Sequence, residues 1–157
     1  MSDSQNFTAQ SVGWFEVPSG RLVVADPVYL THPDLAAVID NAKPGRWVAM
    51  VGHARTDCGP RVSSLFVFHE SGSVRDARDD RELNHTIGVD TGRVCVIDSG
   101  AIGSYEDADL SPGYKPDPFG LMVRSGFGDG IYPCRVCEYA GQAVSVRVTF
   151  IEPEVIQ

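Results

Sequence analysis

The sequence predicts a mostly β protein, a β-sandwich or open barrel of about eight short antiparallel strands with one α-helix packed on it. The strongest evidence is the strict alternation of apolar and polar residues from Ala143 to Phe150, which is typical of a half-buried antiparallel strand. The chain also contains 16 glycines and 10 prolines, as expected where turns join many short strands. Only one stretch, near residues 33–42, has its apolar residues at helical spacing.

The alternating segment belongs to a predicted β-hairpin at the C-terminal end of the chain. Its other strand runs from Ile131 to Tyr139, and Ala140-Gly141 supplies the tight connection. A glycine-rich loop, Gly126 to Gly130, leads into the hairpin and carries Asp129 at its centre. The apolar residues of the second strand are expected to face the core.

The N-terminal half predicts a second hairpin followed by the helix. Strands Val12 to Val17 and Arg21 to Ala25 are joined by the turn-forming triplet Pro18-Ser19-Gly20, and Asp26-Pro27 ends the second strand. The helix is expected within Thr31 to Ala42, with a capping residue at its start and Pro44-Gly45 beyond its end.

The rest of the chain predicts four short strands and three irregular segments, within a single domain spanning residues 1–157. The strands are expected at Arg46–Val51, Val62–His69, Thr86–Val89 and Arg93–Ile97. Residues 1–10 read as a loose N-terminal arm, and residues 70–85 and 99–130 as long exposed loops.

The charge of the chain limits its partners. A formal net charge of −8 argues against general nucleic-acid binding, which needs a surplus of Lys and Arg, and favours a basic protein partner. Residues 1–10 lack the apolar run of a signal peptide, and no membrane span is expected. The protein is therefore expected in the cytosol, with four reduced cysteines: Cys58, Cys95, Cys134 and Cys137.

Two acidic triplets offer a catalytic interpretation and a structural one. Asp90-Thr91-Gly92 and Asp98-Ser99-Gly100 each resemble the Asp-Thr/Ser-Gly signature of aspartic proteases, in which two carboxylates share a proton. Those enzymes draw the pair from two lobes or two subunits, whereas here both triplets lie in one strand–turn unit. The alternative is that each aspartate begins a turn by accepting backbone N–H groups.

The cysteines and histidines give weaker signals. Cys134 and Cys137 form a single Cys-x-x-Cys motif with no second pair to complete a zinc site, and residues three apart on a strand point to opposite faces. They are interpreted as small core residues. A Cys–His nucleophile assembled around His53, Asp57 and Cys58 is the alternative chemistry.

The glycine-rich loop from Gly126 to Gly130 also has two interpretations. Its backbone amides could wrap an anion, as glycine-rich nests do, but it lacks the Lys-Ser/Thr of a P-loop and precedes a strand. The alternative is a turn that feeds the C-terminal hairpin.

Several short motifs occur in the order found in a bacterial family, the domain of unknown function 4241. The segment Val17 to Tyr29 resembles its N-terminal Ser-Gly, Leu-Val strand and Asp-Pro pattern, and Val89 to Asp98 is similar to its Val-Asp-Ser-Gly segment. Gly128 to Pro133 and Val148 to Phe150 resemble its closing hairpin, although Ala25 and Thr91 depart from the usual residues. The resemblance implies a β-rich fold and carries no established activity or catalytic residue.

Strand-end aspartates make the remaining site prediction. If the hairpins stack, several aspartates converge with tyrosines and an arginine in a small polar pocket. The ligand-binding candidates are Asp26, Tyr29, Arg61, Asp90, Asp98, Ser99, Asp129 and Tyr132, and the metal-ligand candidates are Asp90, Asp98 and Asp129.

Three functions remain open. The first is a non-enzymatic, acidic cytosolic module of bacterial or phage origin that binds a protein partner, as an immunity protein does, without a cofactor. The second is a metal-dependent hydrolase that uses the strand-end aspartates. The third is a small-ligand or nucleotide-binding protein that uses the glycine-rich loop with Arg61, Arg124 or Arg135.

Overall fold

A computed structural model describes residues 7–71, 81–104 and 114–152. Within these residues the chain forms eleven strands and two short 3-10 helices, at Pro27–Tyr29 and Ser99–Ser104. The strands are β1 (Phe7–Val17), β2 (Leu22–Ala25), β3 (Ala37–Ile39), β4 (Gly45–Thr56), β5 (Gly59–His69), β6 (Arg81–Val89), β7 (Arg93–Asp98), β8 (Tyr114–Asp117), β9 (Gly120–Arg124), β10 (Gly130–Tyr139) and β11 (Gln142–Thr149). Neither described helix is long and apolar enough to cross a membrane.

The strands form two antiparallel sheets, which confirms the predicted β-sandwich. The six-stranded sheet has the order β1-β4-β5-β11-β10-β6, and the five-stranded sheet has the order β3-β2-β7-β9-β8. The main core lies between them and includes Phe15, Trp47, Leu65, Ile87 and Leu121, all at most 1% exposed. Burying such side chains contributes about 1.5–3 kcal/mol each.

The five-stranded sheet is also covered on its second face. A smaller buried cluster there joins Val23, Ile97 and Met122 to Leu30, which follows the first 3-10 helix. Ile102, in the second 3-10 helix, packs against the same cluster. Covering on both faces explains why β2 and β7 have nearly continuous apolar sequences.

The C-terminal hairpin is confirmed as β10 and β11. Its connection, Ala140-Gly141, has positive φ angles at both residues, 54° and 81°, as a type I′ turn requires. Val146, Val148 and Phe150 are buried, as the alternation predicts, but Ser145 is also buried and Val144 is only partly buried. A β-bulge between Cys137 and Glu138 interrupts the register of the pair.

The predicted helix at residues 33–42 is wrong. His32 Nδ1 accepts the N–H groups of Asp34 and Leu35, which makes a turn, and Ala37–Ile39 then pairs with β2 as the edge strand β3. The apolar residues satisfy a period of two as well as a helical one, with Ala37 and Ile39 buried and Val38 exposed. Pairing with β2 selects the strand over the helix, because the backbone N–H and C=O groups along that edge of β2 need hydrogen-bond partners that a helix would not supply.

The predicted loops are shorter than expected. Residues 7–10 belong to β1 and not to a loose arm, and residues 81–85 belong to β6. The segment 99–130 contains β8 and β9, which pair across the turn Pro118-Phe119. The other parts of these predictions, residues 1–6, 72–80 and 105–113, lie outside the described residues.

Candidate functional site

Asp26 is fully buried and holds two chain corners together. One carboxylate oxygen accepts the N–H of Val28 at 3.0 Å, at the first turn of the 3-10 helix. The other accepts the N–H groups of Asp90 and Thr91 at 2.8 and 2.7 Å, and the Thr91 hydroxyl lies 2.9 Å from both oxygens. These bonds occupy the carboxylate, so Asp26 connects the end of β2 to the turn between β6 and β7.

Asp98 has the same role with different partners. One carboxylate oxygen accepts the Ser19 N–H at 3.0 Å and the Ser19 hydroxyl at 2.6 Å, while the other accepts the Gly100 N–H at 2.9 Å. The Ser99 hydroxyl lies 3.3 Å from the Ser19 hydroxyl, and the Ser99 N–H is donated to Arg21 O. Asp98 and Ser99 therefore anchor the turn between β1 and β2.

These two aspartate networks lie at opposite ends of a strand pair. Strands β2 and β7 are antiparallel, with Leu22 opposite Asp98 and Ala25 opposite Cys95. Asp90 precedes β7 and Asp98 ends it, so the six residues of β7, roughly 20 Å of extended chain, lie between them. A shared proton requires two carboxylates in contact. The structure thus contradicts the aspartic-protease pairing, and the turn-forming interpretation accounts for Asp98.

Tyr29, Asp90 and Asp129 gather at the Asp26 end of the sandwich. The Tyr29 hydroxyl donates a hydrogen bond to the Asp90 carboxylate. This bond, with desolvation and the charges of Asp90, Asp26 and Asp129, raises the pKa of Tyr29. Asp90 and Asp129 are both exposed. The structure therefore brings two exposed carboxylates within electrostatic reach of one phenol.

A depression of about 190 Å³ opens beside this cluster. Asp90 and Tyr29 line it together with two apolar side chains, Leu35 and Ile131, and with Gly88, Val89 and Gly130. Ile131 is 67% exposed, although it lies on strand β10. We call Tyr29, Asp90, Asp129 and Ile131 the acidic edge. Sites for drug-sized molecules occupy about 300–1,000 Å³, so this depression suits a single side chain better than a whole ligand.

Tyr132 supports the loop that carries Asp129. Its hydroxyl donates to Gly128 O at 2.7 Å and lies 3.2 Å from Ser125 O. Desolvation, and then the charge of Asp129, raises the pKa of Tyr132. The Gly128 N–H is donated to Ser125 O at 3.1 Å, so this amide closes the loop and does not face an anion.

Arg61 borders the same loop from strand β5. Its guanidinium carbon lies 5.9 Å from the centroid of the Phe127 ring, and Phe127 is 62% exposed. Six of the eight candidate residues lie on or next to the β6–β7 turn or the loop that precedes β10: Asp26, Tyr29, Arg61, Asp90, Asp129 and Tyr132. Asp98 and Ser99 lie at the other end of β7. Among the residues described, no three His, Cys, Asp or Glu side chains are grouped closely enough to hold a metal ion.

The cysteines of Cys-x-x-Cys lie on opposite faces, as strand geometry predicts. Cys134 is fully buried in the main core, and burial raises the pKa of its thiol to about 12. Cys137 is partly exposed and Cys58 is exposed, and no disulfide bond joins the four cysteines within the described residues. His69 is also structural, because its ring nitrogens lie 2.9 Å from Pro44 O and 2.8 Å from the Ser71 hydroxyl.

Sequence reasoning missed Ser19, Leu35 and Ile131. Ser19 stands 79 residues from the carboxylate it binds, and no local pattern links the two. Leu35 falls within the predicted helix and Ile131 within a predicted strand, so neither gives a signal for an exposed apolar wall.

Comparison with known proteins gives no match: no family model, curated protein or solved structure is similar to this chain.

Proposed function

We propose that the protein is a non-enzymatic, acidic binding module that receives a lysine or arginine side chain of a basic protein partner at its acidic edge. One observation carries the proposal: the bonded pair Tyr29 and Asp90 stands beside a depression with apolar walls, and Asp129 lies within electrostatic reach.

The chemistry of the depression matches that of a long cationic side chain. Leu35 and Ile131 offer apolar surface to the methylene stem, and the carboxylates of Asp90 and Asp129 offer charge to its cationic end. Interface hot spots are enriched in arginine and in side chains that fill small, well-packed pockets. The net charge of −8 would guide a basic partner to the surface.

The protease and hydrolase alternatives have less support. Asp26 and Asp98 are occupied by backbone and hydroxyl donors, so neither carboxylate is free to activate water. The proposal places the module in the cytosol, in line with four cysteines that form no disulfide bond within the described residues. Neutralising a basic toxin in bacterial conflict would use the same edge. The resemblance to the domain of unknown function 4241 stays a prediction from short motifs.

A nuclear magnetic resonance titration tests the acidic edge directly. The probes are Nα-acetyl-lysine methylamide and Nα-acetyl-arginine methylamide, with the uncharged norleucine derivative as control. We expect millimolar binding of the cationic probes, with shifts at the amides of Gly88, Asp90 and Ile131, and no saturable shift with norleucine. Equal shifts with all three probes, or none, would overturn the proposal.

Three variants sharpen this test. Asp90→Asn removes one charge with little change in shape and should abolish the saturable shifts. Asp40→Asn removes the same charge from an exposed surface pair with Arg21, at the other end of β2, and should leave them unchanged. Gly88→Ala should also weaken binding, because its Cβ would come within 2.7 Å of Leu35 Cδ2 and displace a side chain that lines the depression.

A further inference from the structure

A second cavity lies on the outer face of the six-stranded sheet. Its volume is about 670 Å³, within the range of small-molecule sites. We call it the outer trough; the residues that matter here are Gly52, Ser64, Asn84, Arg135, Arg147 and Thr149. Tyr29 and Asp90 do not line the trough, although strands β6 and β10 contribute residues both to it and to the depression at the acidic edge.

Small residues on neighbouring strands form the floor of the trough. Ala9, Gly52, Ser64 and Thr149 stand opposite one another on β1, β4, β5 and β11. A Cβ at Gly52 would come within 2.4 Å of the Ser64 hydroxyl and 2.9 Å of the Ser63 hydroxyl. The absence of a side chain at Gly52 thus leaves room for two hydroxyl groups on the trough floor.

Two arginines lie side by side on neighbouring strands and also line the trough. Arg135 and Arg147 are directly opposite each other on β10 and β11. Like charges at such positions destabilise a sheet, and few of the chain's residues are basic: 13 Lys and Arg against 21 Asp and Glu. An anion held between the two guanidinium groups would remove that repulsion.

Both arginine side chains are oriented by neighbours. Arg135 Nε lies 2.9 Å from a Glu82 carboxylate oxygen, and the Arg147 guanidinium lies 4.3 Å from the centroid of the Phe66 ring. Stacking on an aromatic ring leaves the in-plane N–H groups of arginine available for a carboxylate or phosphate. Glu82 offsets the charge of Arg135, and Glu152 also lines the trough, so the two arginines are a local cationic pair in a trough whose charges balance.

We propose that the outer trough binds a small organic anion, with its phosphate or carboxylate group held by Arg135 and Arg147. The hydroxyls of Ser64 and Thr149 and the amide of Asn84 supply further hydrogen bonds, and Phe7 supplies an apolar wall. Glu152 also lines the trough, and its carboxylate can accept a hydrogen bond from a hydroxyl or amino group of the ligand. A nucleoside monophosphate and a tricarboxylate both fit this description.

Thermal shift and calorimetric titration test the proposal with four probes: inorganic phosphate, adenosine 5′-monophosphate, citrate and uncharged adenosine. We expect the melting temperature to rise by about 3 °C at roughly tenfold excess over Kd with an anionic organic probe, and not with adenosine. A response to the monophosphate but not to citrate assigns the site to phosphate, and the reverse assigns it to carboxylate. No response to any anion overturns the proposal.

Variants locate the binding. Arg147→Gln should lower the affinity about tenfold or more, and Arg135→Gln should act in the same direction if the first variant does not fold. Arg21→Gln removes an equal charge from an exposed pair with Asp40 outside the trough, and Asp90→Asn changes the acidic edge; both should bind the anion as the parent does. Equal affinity in Arg147→Gln and the parent, or anion-induced amide shifts that avoid Gly52, Ser64 and Asn84, would refute the site.

Discussion

Asp26 and Asp98 each bind a distant turn through a buried carboxylate, at opposite ends of the paired strands β2 and β7. Each carboxylate accepts N–H groups from a turn that is distant in the sequence, and each is at most 2% exposed. The four residues of β2, roughly 13 Å of extended chain, separate the two corners. Each end of the β2–β7 pair is thus connected to a neighbouring turn by its own buried aspartate.

Asp26→Asn should destabilise the fold by about 2–4 kcal/mol, because an amide NH₂ would face backbone donors that now bond to a carboxylate oxygen. Urea unfolding followed by circular dichroism measures the change. Asp40→Asn, in an exposed ion pair, should cost less than about 1 kcal/mol. A loss in Asp26→Asn no larger than in this control would show that the hydrogen bonds of Asp26 do not stabilise the corner.

Double-variant cycles should separate the two corners. Ser19→Ala and Asp98→Asn remove the two sides of one hydrogen bond, so their effects on the free energy of unfolding should be non-additive by about 0.5–3 kcal/mol. Asp26→Asn and Asp98→Asn share no partner and should add within about 0.5 kcal/mol. Strong coupling between the two aspartates would contradict their independence.

Tyr29 should ionise at higher pH than an ordinary tyrosine. Its hydroxyl donates to Asp90, and the carboxylates around it disfavour a phenolate, so its pKa in the folded protein is raised. The stabilising effect of this bond is therefore present below about pH 10, the unfolded value, and is lost as the pH rises through the raised pKa. Ultraviolet difference spectra of the phenolate, compared with those of Tyr29→Phe, isolate this titration, and Asp90→Asn should move it to lower pH. A Tyr29 titration unchanged in Asp90→Asn would exclude Asp90 as the cause.

Thiol labelling should follow burial. Cys58 is exposed and should react first with a maleimide under native conditions, whereas Cys95 and Cys134 should react only on unfolding, because burial raises the pKa of both thiols. Peptide mass spectrometry after timed labelling gives the order. Rapid native labelling of Cys134 would indicate that strand β10 opens more easily than its place in the core suggests.

Local patterns in the sequence determined the β-sandwich class, the C-terminal hairpin and the turn positions of the aspartates. Alternation in β11 and the tight Ala140-Gly141 turn act over a few residues, so they can be recognised without the rest of the chain. The segment Ala37–Ile39 shows the limit, because its apolar residues fit both a helix and a strand. Only the open edge of β2 selected the strand.

Contacts between residues far apart in the sequence decided which side chains come together at the two corners and at the proposed sites. Asp26 meets Thr91 across 65 positions, and Ser19 meets Asp98 across 79, so no local pattern could show that these carboxylates are occupied. Arg135 and Arg147 become neighbours only through the register of β10 and β11, and the hollow beside them depends on Gly52 in a third strand. A chain specifies its local turns and periodicities residue by residue, but a site arises where packing brings separate strands into register.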